Sequence, residues 1–109
     1  MLNISAKQWS HLGHQVESDF QKRAIAFLEA RHAEACAGMR GQLPHLLDSA
    51  RRLAQLCALE SEIAVITICE LVLVHGPAFH RNCAWAHYIL RECPADDAER
   101  VARLREYLP

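Results

Sequence analysis

The chain is short of aromatic residues (6%), with only four glycines and four prolines in 109 residues. That argues against an all-β fold, which needs turn residues at short intervals and aromatic or β-branched strands. It has no charge excess, the formal net charge being −1 with histidines neutral. It therefore lacks the basic surplus that would drive binding to a phosphate backbone, and no nucleic-acid partner is expected. Arg51-Arg52 and the group Arg100, Arg103, Arg105 are local patches among acids, read as solvated helix faces. No apolar run reaches the roughly 20 residues of a membrane span, and MLNISAKQW lacks the charged and apolar regions of a signal peptide. A cytoplasmic protein with no membrane partner is expected. The five cysteines (36, 57, 69, 83, 93) include no CxxC pair, so they read as small core hydrophobes. A Gly-rich phosphate loop, a paired-carboxylate motif and a nucleophile turn are also lacking, so neither enzyme activity nor a cofactor is expected.

What the chain has is apolar residues (51%), rich in alanine. A chain of this length buries roughly 65% of its unfolded surface, enough for one core, and residues 1–109 read as a single domain. Its most apolar stretch is Ser61 to Pro77, in which only Thr67 and Glu70 interrupt IAVITICELVLV. A helix hydrophobic all round is a buried axis. The β-branched content also allows a buried strand, but helix signals flank the run and no second strand is evident to pair with it. Ser61 is a fitting N-cap, and Gly76-Pro77 a fitting stop.

The other segments have one apolar face each. Ser5-Ala-Lys-Gln8 is a capping box. Trp9, Leu12, Val16, Phe20, Ala24, Phe27 and Leu28 then recur at spacings of three and four, predicting a helix over about 5–36. Leu43-Pro44 opens a second helix, with Leu46, Leu47, Ala50, Leu53, Ala54 and Cys57 inward. After the central helix, Asn82 can cap a fourth over 83–92, ended by Pro94. Asp96-Asp-Ala-Glu99 opens a fifth, with Arg103 and Arg105 placed to favour its dipole. The expected fold is an all-α bundle of about five helices around a buried helix at about 61–75.

Two constellations could carry function. His80-x-x-Cys83-x-x-x-His87 would share one face of a continuous helix, and Cys and His suit zinc or copper. Most simply, though, it is a core cysteine between two partly exposed histidines, and no metal site is favoured. His11-x-x-His14 and His32-x-x-x-Cys36 are weaker pairs of the same kind. Glu70, inside the central helix, must be paired, hydrogen-bonded or neutral. It reads as a contact to a partner or a catalytic acid or, in preference to catalysis, as part of a narrow wet stripe with Thr67 and Val74 or as the mate of an arginine from another helix. Trp9, Phe79, Trp85 and Tyr88 are the aromatic candidates for a protein interface, with a core role the alternative for most of them.

The order of several segments is also familiar. LNISAKQW, F20-x-x-R23, FLEARH (27–32), LESEIAVITICELVLVHGPAF (59–79), W85-x-x-x-IL and ER-x-x-RL (99–104) run over nearly the whole chain. Together they resemble small all-helical proteins encoded beside type VI secretion effectors, spike proteins and effector-loading chaperones of Gram-negative bacteria. The resemblance implies a non-catalytic adaptor or co-chaperone whose partner is a secretion effector, its loading chaperone, or another copy of itself. The chain departs from that pattern at three places. Cys57-Ala58 replaces an aromatic-Gly pair, so a less sharply made turn is expected. Ala33 replaces a helix-ending proline, so the first helix is expected to run on. His80 follows Phe79 where an acid is common. A metal- or thiol-responsive sensor using His80, Cys83 and His87, or a toxin-neutralising immunity protein, is the alternative reading.

Overall fold

The structure, a computed structural model, describes residues 14–109, with side chains from 19 onward other than residue 40. The capping box at Ser5, the candidate Trp9, and His11 with His14 as a side-chain pair lie outside the described residues. The described residues form helices only, as the sequence predicts: α1 (His14–Arg31), α2 (Ala33–Ala37), α3 (Leu43–Leu56), α4 (Glu62–His75), α5 (Phe79–Asn82), α6 (Ala84–His87) and α7 (Asp97–Arg105). A 3-10 turn (Arg40–Gln42) precedes α3, and a π-helical turn (Tyr88–Glu92) continues α6.

α4 is the buried axis. From Glu62 to Leu71 only Ile63 reaches the surface, at 36% exposure. α1, α3 and α7 all pack on it. α1 contributes Phe20, Ala24 and Leu28, one every four residues, and α7 contributes Val101 and Leu104. Complete burial of Leu28 or Leu104 is worth about 1.5–3 kcal/mol. Ser61 caps α4 by accepting from the Ala64 amide at 3.2 Å, and Gly76, at φ 99°, ends it. The same turn is fixed from α7. The Asp97 carboxylate accepts from the Glu60 amide (2.7 Å), the Ser61 amide (3.1 Å) and the Ser61 hydroxyl (2.8 Å). Asp96 caps α7 through the Glu99 amide at 2.9 Å. No helix among the described residues is long and apolar enough to cross a membrane.

Four expectations are revised. The first helix does not run on: His32 (φ −130°, ψ 52°) breaks it, and its imidazole turns onto Glu70. The turn after α3 is sharp despite lacking glycine. Ala58 takes φ 60°, and the Leu59 and Ala58 amides donate to the Ala54 and Gln55 carbonyls, closing a two-bond helix stop. The fourth helix is not continuous: Cys83 (φ −106°, ψ 119°) separates α5 from α6, and the last turn is wound as π, with the Cys93 amide donating to the Tyr88 carbonyl. Finally, Arg100 and Arg105 do not form a solvated face. Arg100 is 8% exposed and donates to the Ile89 and Leu90 carbonyls at the π turn. Arg105 turns inward to α4.

Candidate functional site

Glu70 is enclosed rather than offered to a partner. It is fully buried, and three cationic side chains or donors meet it. Arg31 Nε (3.1 Å) and His32 Nε2 (2.8 Å) reach Oε2, while Arg105 Nη1 (2.8 Å) reaches Oε1 and also donates to Thr67 Oγ1 at 2.9 Å. A carboxylate acceptor requires the His32 proton on Nε2. Burial by itself would raise this carboxyl. The His32 and Arg105 hydrogen bonds, with the charges of Arg105 and Arg31, outweigh burial and hold it below its ordinary value. The arrangement ties the α1–α2 break and α7 to the central helix. Thr67 is buried as well, so α4 has no wet stripe.

The other sequence candidates separate. Phe79 is 1% exposed and belongs to the core. Trp85 lies over it, half-buried, stacked on Tyr107 at 3.8 Å and edge-on to His75 at 5.3 Å. Trp85 and exposed Tyr88 do come together, with Ile89, Arg103, Glu106 and Tyr107, around a shallow hollow of about 490 Å³. The break at Cys83 takes His80 off the helix that carries His87. Among the described residues no three His, Cys, Asp or Glu side chains converge to hold a metal ion. The buried Cys69 thiol is pushed up to about 12 by burial, reinforced by Glu70 and Cys36, which makes it a poor nucleophile.

A wider opening among the described residues lies elsewhere, between α3 and α4. It is a groove of about 670 Å³ whose walls include Met39, Leu46, Leu53, Leu56, Val72 and Leu73. Leu56 is 74% exposed, the most exposed large hydrophobic residue among those described. Among the described residues, the polar groups on the rim are Gln42, His45, Ser49, Arg52 and His80, with no carboxylate. Leu53 and His80 are shared with an adjoining pocket of about 250 Å³, completed by Arg81, His87, Leu90 and Arg91. Burial and the nearby charges of Arg81 and Arg91 lower the His80 pKa, so its imidazole is neutral at pH 7.

Sequence reading identified the inward face of α3 but missed this groove. The signal was Leu56. At about 100° per residue it lies roughly 80° around the helix from Leu46, widening the apolar arc of α3 beyond what α4 alone covers.

The chain matches no family model, no curated protein and no solved structure.

Proposed function

We propose that the protein is a non-enzymatic interaction module of the cytoplasm, an adaptor or co-chaperone that holds a type VI secretion effector or its loading chaperone. The observation that carries this reading is the groove between α3 and α4, with Leu56 left 74% exposed on its wall. Apolar surface of that kind, rimmed by polar groups, marks contact sites for other proteins. Two helix walls of 14 residues, each about 21 Å long, suit an amphipathic helix laid between them. The residue pattern shared with secretion-locus accessory proteins supplies the kind of partner.

The test is co-expression with the products of the genes neighbouring its own, followed by affinity purification of the tagged chain. One of them should be retained in stoichiometric amount, and Leu53→Glu with Leu56→Glu should release it. Retention of none of them, or retention unaffected by the double variant, overturns the proposal.

A further inference from the structure

The pocket at the end of the groove repeats the chemistry of the Glu70 cluster with one component left out. Around Glu70 stand one histidine and two arginines: His32, Arg31 and Arg105. Around the pocket stand His80, Arg81 and Arg91, with His87 beside them, and no carboxylate among the described residues lines it. His87 pairs with Glu92 at 3.1 Å, but neither arginine has a carboxylate partner among the described residues. His80 Nδ1 is buried without a hydrogen-bond partner. Arg81 and Arg91 are both exposed and bring two positive charges to this one pocket. That charge favours an acceptor of negative charge, held by charge-assisted hydrogen bonds.

The pocket adjoins the groove and shares Leu53 and His80 with it. A single ligand can therefore fill the one with apolar side chains and the other with an acid. We infer that the groove receives an amphipathic helix carrying a carboxylate at one end, and that this carboxylate is bound by His80, Arg81 and Arg91. The inference rests on the groove being the docking site and adds the chemistry that selects the occupant. The apolar wall supplies contact area, and the pocket sets orientation and excludes helices with a basic end.

The test uses synthetic 14-residue amphipathic peptides, the length of the groove walls, with leucines at i, i+3, i+4 and i+7. Both ends are blocked, and paired glutamates stand at the N-terminal end, at the C-terminal end, or are replaced by paired lysines. Affinity for the full chain is read by fluorescence anisotropy. One glutamate peptide should bind about tenfold more tightly than its lysine counterpart, the scale of a charge-assisted contact. Arg81→Gln with Arg91→Gln should abolish that preference while leaving residual binding of all three peptides, and Leu56→Glu should weaken all three. Binding lost in Leu56→Glu, but with no glutamate preference or a preference that survives the double arginine variant, overturns the carboxylate pocket and leaves the groove reading standing. Binding of none of the peptides, or binding indifferent to Leu56→Glu, overturns both.

Discussion

Two clusters containing a histidine and two arginines lie in this small fold, and they differ most in whether a carboxylate stands among them. Arg31, His32 and Arg105 close on Glu70. His80, Arg81 and Arg91 close on no carboxylate among the described residues. In the first cluster one buried carboxylate of the chain meets all three groups, and the result is architecture: the α1–α2 break and α7 fixed to the central helix. In the second, groups with the same chemistry stand unanswered beside an apolar groove. Self-contained polar clusters hold a fold together, whereas incomplete ones beside exposed apolar surface point outward to a ligand.

The most damaging way to break this contrast is to make the first cluster resemble the second. Glu70→Ala leaves two guanidiniums and an imidazole facing a buried void. Loss of one partner of a buried ion pair costs about 3–5 kcal/mol. Arg31 and Arg105 retain 45% and 28% side-chain exposure and can turn to water, so the lower end, about 3 kcal/mol, is expected from urea denaturation.

Glu62, two turns earlier on the same helix, sharpens the comparison. It is also fully buried, but neither oxygen has a hydrogen-bond partner and Arg23 Nη2 is 3.9 Å away. Burial raises its pKa, with Arg23 only partly offsetting this. The two carboxyls therefore have opposite pH signatures. Glu70, depressed on folding, contributes stability that is present above its ordinary value near 4.5 and lost as pH falls below that through the folded value. Glu62, raised on folding, costs stability as pH rises from near 4.5 through its folded value. Glu62→Met should stabilise the protein at pH 7 by about 1–2 kcal/mol. The gain should shrink towards zero as both proteins are titrated down to about pH 4. A gain independent of pH would show that the Glu62 pKa is the same in the folded and unfolded chain.

Smaller effects probe the frame around these clusters. Ala58 holds φ 60°, a region costing a non-glycine residue about 1–2 kcal/mol, and its position is exposed. Ala58→Gly should stabilise by about 0.5–1 kcal/mol once the greater freedom of glycine in the unfolded chain is subtracted, visible as a raised urea midpoint. Arg81→Gln with Arg91→Gln should change stability by less than about 0.5 kcal/mol, because neither residue supports the fold. That near-absence of effect, set against the large one at Glu70, is what the contrast between the clusters requires.

Much of the frame was legible from sequence because local signals carry it. Ser61 and Asp96 cap where their spacing predicts, Gly76 stops α4, and the all-apolar run is the buried axis. The misreadings at His32, Arg100 and Arg105 share one cause: long-range contacts overrode local pattern. Nothing near His32 in sequence breaks α1; Glu70, 38 positions away, draws its ring over. Arg100 and Arg105 look like a solvated face because their acceptors, the Ile89 and Leu90 carbonyls and Glu70, lie on other elements. The groove was hidden for the same reason. Periodicity shows which side of α3 is apolar, but not how much of that side α4 leaves uncovered.

The central claim is that the α3–α4 groove and its basic end receive a partner, while the Glu70 cluster and the Trp85–Tyr88–Tyr107 hollow do not. Backbone amide chemical shifts of the ¹⁵N-labelled chain, followed as the tighter glutamate-ended peptide is added, test it most directly. The account predicts changes concentrated at Leu53, Leu56, Leu73, His80, Arg81 and Arg91, with Glu70 and Tyr107 unmoved. Changes centred on Trp85, Tyr88 and Tyr107, or spread without focus over the chain, would contradict it.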